Sequence, residues 1–239
     1  MMKIQTIAIL TFLTFTNVIA SEITTVKDIK SIDMDTLELT QEWDKRFPQS
    51  DKVEHSKITF HNRYGITLAA DLYKPKNAQG TLPGIAVSGP YGAVKEQVSG
   101  RYAQTLAERG FLTIAFDPSF YGESGGTPRY LTSPEISTDD FSAAVDYLTT
   151  REDVDSERIG ILGICGWGGF ALNAAANDPR IKATVTSTMY DMSRVNANGY
   201  FDANDNADAR NKLRQALNEQ RTKDYRSGGY ERDGGVVET

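Results

Sequence analysis

The sequence predicts an α/β fold with a mostly parallel sheet and helices on both faces. Short apolar runs, such as residues 84–88 and 159–164, alternate with segments of helical periodicity such as residues 139–149. This alternation is typical of strands that are joined by crossover helices. The strands are continuously apolar rather than alternating with polar residues, as expected of strands that are covered on both faces.

Composition excludes several function classes. The 239 residues carry a net charge of −6, contain 39% apolar residues and show no cluster of basic residues. An acidic chain of this kind is poorly suited to nucleic acid or to an anionic membrane surface. We therefore expect a small-molecule substrate rather than a nucleic acid, and neither a metal nor another cofactor.

The first twenty residues have the order of a secretory signal peptide. Lys3 precedes a largely apolar stretch from Ile4 to Ile19, and Val18-Ile19-Ala20 provides an A-x-A-like cleavage site. Polar residues interrupt the stretch, which is shorter than the roughly 20 residues of a membrane-spanning helix. We expect residues 1–20 to be removed, leaving a secreted or periplasmic protein without membrane contact.

Three further segments follow. Residues 21–52 are interpreted as an N-terminal extension with a helix over Leu37–Arg46 that ends before Pro48. Residues 53–192 are interpreted as the core. Residues 193–239 are expected to form a lid-like helix, with an apolar stripe from Ala209 to Leu217, and a disordered Gly-rich tail from Arg226 onward.

The core elements are assigned in chain order. Alternating residues from Val53 predict a strand that turns at Asn62–Gly65 into its hairpin partner. Apolar runs then predict further strands, and helical spacing predicts a helix after each of the next three strands. The predicted strands are 53–61, 66–73, 84–88, 111–116, 159–164 and 181–188, and the predicted helices are 101–109, 139–149 and 168–177.

The most informative segment is Gly163-Ile164-Cys165-Gly166-Trp167-Gly168-Gly169, where a buried strand runs through glycines into a helix. This is the setting of a nucleophile elbow, in which a sharp turn needs small neighbours. Cys165 is the candidate nucleophile, at a helix N-terminus whose dipole favours a thiolate. Trp167 departs from the pattern, since a glycine is expected there. The alternative is a buried structural cysteine in a tight turn.

A second segment, Gly122-Glu123-Ser124-Gly125-Gly126, matches G-x-S-x-G literally. The residues that follow, including Pro128 and Pro134, indicate a loop rather than a helix. Ser124 is therefore the weaker candidate nucleophile.

Four loops in order resemble the α/β-hydrolase superfamily across residues 53–191. They are Gly89-Pro90-Tyr91-Gly92, which resembles Xaa-Pro peptidase-like members; Asp117–Ser124; the segment Asp153–Gly169; and Gly163-Ile164-Cys165, which resembles the cysteine elbow of dienelactone hydrolases. The resemblance implies an α/β-hydrolase fold acting on ester, lactone or related acyl bonds. It also implies an oxyanion hole from Gly166 and Tyr91. Asp191 follows a strand end and is a candidate acid, although the family usually places its acid after the next strand; the alternative is that Asp191 caps the following segment.

The same resemblance shows that the catalytic histidine is missing from its expected place in the sequence. A hydrolase triad of this fold places its histidine after the nucleophile and the acid, but the two histidines, His55 and His61, both precede Cys165. We expect both to be solvated strand residues, too far apart to share a metal. The sequence is therefore interpreted as a C-terminally truncated hydrolase that lacks the last strands and is inactive or weak in this form.

Two other functions remain open. One is a non-catalytic extracytoplasmic binding protein, or fragment, on a hydrolase scaffold, which the absent histidine favours. A thiol oxidoreductase is less well supported, because such an enzyme needs a second, resolving cysteine and the chain has one cysteine.

Overall fold

A computed structural model of the chain describes residues 37, 39–40 and 42–232, all within one compact unit, Met34–Thr239. The predicted signal peptide, most of the extension and the last seven residues lie outside the described residues. The strands are β1 Val53–His61, β2 Thr67–Pro75, β3 Leu82–Ser88, β4 Leu112–Phe116, β5 Val154–Ile164 and β6 Ile181–Ser187. The helices are α1 Val98–Ala107, α2 Pro134–Thr149, α3 Trp167–Asn177, α4 Met192–Asn198 and α5 Ala207–Ser227.

The six strands form one sheet in the order β1-β2-β4-β3-β5-β6. The β1–β2 hairpin is antiparallel and pairs antiparallel with β4, whereas β4, β3, β5 and β6 run parallel. The mostly parallel sheet is therefore confirmed. Because parallel strands end at the same edge, the loops after β3, β4, β5 and β6 meet there, where open α/β sheets bind ligands.

Helices cover both faces, as expected. On one face, Ala103 and Ala107 of α1 pack against Val87, Leu162 and Ile164 of the sheet. On the other face, α2 and α3 pack against a larger apolar cluster. Its helical members include Phe141, Val145, Leu148, Ala171 and Ala174. Small residues let α1 and α3 approach the strands closely, which brings the start of α3 onto the end of β5.

The predicted helix over Leu37–Arg46 is wrong, because the described residues of this segment form no helix. Alternate residues face the sheet instead, as in an extended chain. Trp43 and Phe47 are half-buried, and Lys45 is buried where its ammonium group contacts Asp71 of β2 at 2.9 Å. A buried ion pair and aromatic packing thus outweigh the helical spacing of the leucines.

Other differences concern element lengths. Helix α2 begins five residues earlier than predicted, because Ser133 accepts a hydrogen bond from the Ile136 N–H and Pro134 suits the first turn. Strand β5 begins at Val154, since residues 154–155 pair with the start of β3 across a register shift. Helix α5 extends well beyond the predicted stripe and has no buried residue.

The described chain also contains helices that the sequence analysis did not predict, α4 and a short 3-10 turn at Tyr200–Asp202. No helix among the described residues is both long and apolar enough to cross a bilayer.

Candidate functional site

Strand β5 ends at Ile164 and helix α3 begins at Trp167, so only Cys165 and Gly166 form the turn between them. Cys165 has φ 56°, in the left-handed region that disfavours residues with a Cβ. Its N–H donates to the Ser187 carbonyl at 2.9 Å, and its carbonyl accepts from Gly168 N–H at 3.0 Å. Both β6 and α3 therefore hold the turn, and the predicted strand–turn–helix position of Cys165 is confirmed.

Glycine is required around this turn because backbone atoms crowd it. A Cβ at Gly163 would lie 2.4 Å from the Trp167 carbonyl oxygen and 2.8 Å from the Ala171 Cβ. A Cβ at Gly89, in the loop after β3, would lie 2.4 Å from the Ile164 carbonyl oxygen. The elbow and the loop after β3 are thus in direct backbone contact.

Trp167 occupies the motif position where a glycine is expected, and it is fully buried as the first residue of α3. Its ring packs edge-on against Tyr121 and Phe170, at centroid distances of 5.9 and 5.4 Å, and against Tyr91 at 5.6 Å. A large side chain is accommodated because the helix turns it away from the nucleophile side and into the core. The departure from the motif therefore leaves the elbow geometry intact.

Tyr91 lies beside the elbow. Its Cδ2 would be 3.4 Å from a Cβ at Gly166, and its phenol interacts with Tyr121, which in turn is 2.7 Å from the Thr132 hydroxyl. In the part of the chain that the structure describes, neither the Tyr91 nor the Gly166 backbone N–H has an acceptor. Gly166 follows Cys165 directly and Tyr91 lies close to Gly166, so both N–H groups belong to residues beside the elbow.

Ser124 is 2% exposed and lies in a loop that is not followed directly by a helix. Its hydroxyl donates to the Asp117 carbonyl at 2.7 Å and accepts from the Ala69 N–H at 2.9 Å. Ser124 therefore anchors the loop after β4 to β2, and both its donor and an acceptor lone pair are engaged.

The two histidines lie on β1, four strand positions from β5, which is about 19 Å across the sheet. His61 is exposed, as expected, but the prediction that His55 is solvated is wrong. His55 Nε2 lies 2.8 Å from Asp71 Oδ1, with the side chain 11% exposed. Neither residue can reach Cys165.

Asp191 follows β6 at the same edge of the sheet as Cys165 and is exposed. It caps α4 by accepting hydrogen bonds from the Ser193 hydroxyl at 2.5 Å and the Arg194 N–H at 3.0 Å. These bonds, Ser193 first, lower its pKa. Its role as a triad acid stays a prediction.

One group of carboxylates has oxygens within 4.8 Å of one another: Asp44, Glu96 and Glu123. Lysine ammonium groups already bridge them. Lys57 contacts Asp44 and Glu123, and Lys95 contacts Glu96 and Glu123, all at 2.9 Å or less. Because three positive side chains, with Lys45, neutralise these acids, the cluster fits an internal ion-pair network better than a cation site.

A cleft of about 630 Å³ borders the elbow at the carboxyl edge of the sheet. It is lined on one side by Tyr91 and the start of α3, and on the other by the segment that follows β6. The lining residues are Tyr91, Thr132, Pro134, Gly166, Gly169, Phe170, Leu172, Asn173, Met189, Tyr190, Asp191, Met192, Ser193 and Asn196. Gly166 and Tyr91, the two residues with unpaired N–H groups, are both part of this lining.

A family model described as X-Pro dipeptidyl-peptidase (S15 family) matches residues 64–233. The chain belongs to this family. Its place among the α/β-hydrolases, which the loop resemblance predicted, is thereby confirmed, and so is the fold.

The chain is also similar to several individual proteins. The chain is 63% identical over 193 residues to the uncharacterized protein PA2218 of Pseudomonas aeruginosa, a match that covers 80% of this chain and 52% of that protein. The PA2218 crystal structure aligns at a TM-score of 0.80 and 59% identity, covering 85% of this chain and 65% of that one. The thiohydrolase aneE of Aspergillus aculeatus is 31% identical, with coverages of 57% and 42%.

Other solved structures share the fold. A structure of DcsB in complex with its substrate analogue aligns at a TM-score of 0.63 and 26% identity, covering 72% of this chain and 55% of that one. A dienelactone hydrolase-like phosphotriesterase, P91, aligns at 0.50 and 20% identity, covering 58% and 60%, a likeness of fold alone. The chain spans about half the length of the curated relatives it matches.

Proposed function

We propose that this protein transfers acyl groups from ester-like substrates, to water or to another acceptor, with Cys165 as the nucleophile. The observation that carries the proposal is the left-handed backbone of Cys165 between β5 and α3. Such a conformation costs free energy at a non-glycine residue, and strained residues of this kind cluster at active sites. We further propose that the protein acts outside the cytoplasm, after removal of residues 1–20.

The chemistry follows from the groups around Cys165. After the thiol loses its proton to solvent, the sulfur attacks the acyl carbon and the carbonyl electron pair moves to oxygen. The free N–H groups of Gly166 and Tyr91 are the proposed donors to that oxygen. When the tetrahedral intermediate collapses, the acyl group stays on sulfur and the leaving group departs with the bonding pair.

Thioesters are the acyl donors that this site suits best. A thiolate leaves without being protonated, whereas an alkoxide needs a general acid, and neither histidine of this chain lies near Cys165. The relative named a thiohydrolase points to the same substrate class. A triad in which Asp191 orients a histidine would require that histidine from outside these 239 residues.

The test is covalent acylation, followed by intact mass spectrometry. The protein is incubated with the acetyl thioester of N-acetylcysteamine, and the sole cysteine makes the site of any thiol adduct unambiguous. We expect one acetyl group on Cys165, formed about a hundredfold faster than in the same protein unfolded in urea. The Cys165→Ala variant should form no adduct, and Ser124→Ala should react like the wild type.

The competing function, a non-catalytic binding protein, is favoured by the distance of both histidines from Cys165. It predicts equal acylation rates for the folded and the urea-unfolded chain, since Cys165 would then be an ordinary thiol. That result would overturn the proposal.

A further inference from the structure

The cleft beside the elbow has a chemical character that the acyl-transfer chemistry alone does not require. The apolar side chains of Phe170, Leu172, Met189 and Met192 line it together with the Tyr91 ring. Leu172 and Met189 are 45% and 44% exposed. Apolar side chains left open around a concave site are typical of one that buries an apolar ligand.

Charge is nearly absent from the same lining. No lysine, arginine or histidine contributes to it, and Asp191 is its single charged residue. The Ser193 hydroxyl and the Arg194 N–H hydrogen-bond the Asp191 carboxylate. Because this negative charge has no cationic counterpart in the lining, the cleft disfavours anionic groups.

The two methionines connect this lining to the elbow. A Cβ at Gly166 would lie 2.8 Å from the Met192 Cγ, and one at Gly168 would lie 2.8 Å from the Met189 Cγ. The thioether side chains therefore rest directly on the glycine backbone that follows Cys165. Methionine is flexible and polarisable, so it adapts to ligands of varied shape.

We propose that this cleft binds the acyl part of the substrate and selects uncharged, apolar acyl chains longer than acetyl. This inference rests on the proposed acyl-transfer function and adds to it the class of acyl group. Each methylene that becomes buried contributes about a fourfold gain in binding.

Binding is tested without chemistry, in the Cys165→Ala protein with ¹³C-methyl-labelled methionine. Octanamide should shift the NMR signals of Met189 and Met192, each assigned from a Met→Leu variant, whereas acetamide and the monoamide of octanedioic acid should not. Leu172→Asp should weaken octanamide binding at least about tenfold, since it places a charge in the cleft. The matched control is Leu217→Asp, on α5 and 59% exposed, which should bind as before.

Chain-length preference is tested in the wild type with acetyl, butyryl, hexanoyl and octanoyl thioesters of N-acetylcysteamine. We expect the second-order rate constant of acylation to rise with chain length in the wild type. In Leu172→Asp this dependence on chain length should be weaker. Equal rates for all chains, or methionine signals that octanamide leaves in place, would overturn the inference while acylation of Cys165 could stand. Octanamide binding without any acylation would instead overturn the proposed function alone.

Discussion

Two segments at the carboxyl edge of the sheet carry nucleophile-like sequences, and they have opposite environments. The segment after β4, Gly122–Gly126, matches the hydrolase motif letter for letter, yet the Ser124 hydroxyl is buried and occupied by two hydrogen bonds. The segment after β5 departs from the motif at Trp167, yet it has the strand–turn–helix geometry and leaves the Cys165 side chain half-buried. Secondary-structure context therefore separates the candidate nucleophile Cys165 from Ser124 better than the letters of the motif do.

The loop after β4 is anchored at more than one point. Buried Asp140 of α2 accepts hydrogen bonds from Asn62 Nδ2 at 2.8 Å, Ser119 N–H at 2.8 Å and the Ser119 hydroxyl at 2.7 Å. The Arg129 guanidinium also contacts the carbonyl groups of Ser124 and Gly125. This loop therefore has a structural role. Three predictions compare it with the elbow.

The largest expected effect is on pH-dependent stability at Asp140. Burial raises the pKa of this carboxyl from 3.8 to about 6, against the hydrogen bonds from Ser119 and Asn62. Stability contributed by the protonated form is complete below pH 3.8 and is lost as pH rises through about 6. This rise in the pKa corresponds to about 3 kcal/mol. Relative to Asp140→Asn, the wild type should therefore lose up to about 3 kcal/mol of unfolding free energy between pH 4 and pH 7.

This prediction is measured by urea unfolding of both proteins at constant ionic strength. Taking the difference at each pH removes the contribution of the other carboxyls, including buried Asp117. A difference that stays constant with pH would show that Asp140 has the same pKa in the folded and unfolded chains.

The next effect concerns the elbow itself. Gly163→Ala should lower the unfolding free energy by about 2–3 kcal/mol, because its Cβ would meet the Trp167 carbonyl oxygen at 2.4 Å. Gly169→Ala is the matched control in the same strand–turn–helix segment, where the atom nearest to the added Cβ, the Tyr190 carbonyl oxygen, is 3.6 Å away. It should leave stability unchanged or raise it by up to about 1 kcal/mol. Equal behaviour of the two variants would mean that the elbow is not tightly packed.

The smallest effect is expected at Ser124. Ser124→Ala removes the acceptor of the Ala69 N–H, which becomes a buried donor without a partner, at a cost of about 1–2 kcal/mol. Acylation of Cys165 should continue at the wild-type rate per folded molecule. The fraction of folded protein is measured by circular dichroism at the same temperature. If acylation falls by more than this fraction does, Ser124 takes part in the reaction.

Sequence patterns correctly predicted the elements whose structure depends on neighbouring residues in the chain. The apolar run 159–164 followed by glycines located β5, the elbow and the start of α3, because strand burial and turn geometry depend on neighbouring residues. In the same way, the turn at Asn62–Gly65 located the β1–β2 hairpin. The ends of elements were less accurate, since the start of α2 depends on a single hydrogen bond, which the Ile136 N–H donates to Ser133.

Long-range contacts account for the errors. Lys45 and His55 both contact Asp71, which is 26 residues from the first and 16 from the second along the chain. No periodicity signals such a cluster, so the segment Leu37–Arg46 was predicted as helix and His55 as solvated. The free N–H groups of Tyr91 and Gly166 were also beyond pattern analysis, which named these residues only through the family resemblance.

The left-handed backbone at Cys165 limits which residues can be exchanged there. A β-branched side chain is strongly disfavoured at φ 56°, so threonine is excluded from this turn, whereas serine differs from cysteine by one atom and has an unbranched Cβ. The backbone at this position therefore accepts Cys165→Ser, which would replace the thiol by a hydroxyl group. By contrast, a Cβ added at Gly163 or at Gly89 would lie 2.4 Å from a backbone carbonyl oxygen, so these positions accept no side chain. Variation among members of this family should therefore be found at the nucleophile before it is found at its supporting glycines.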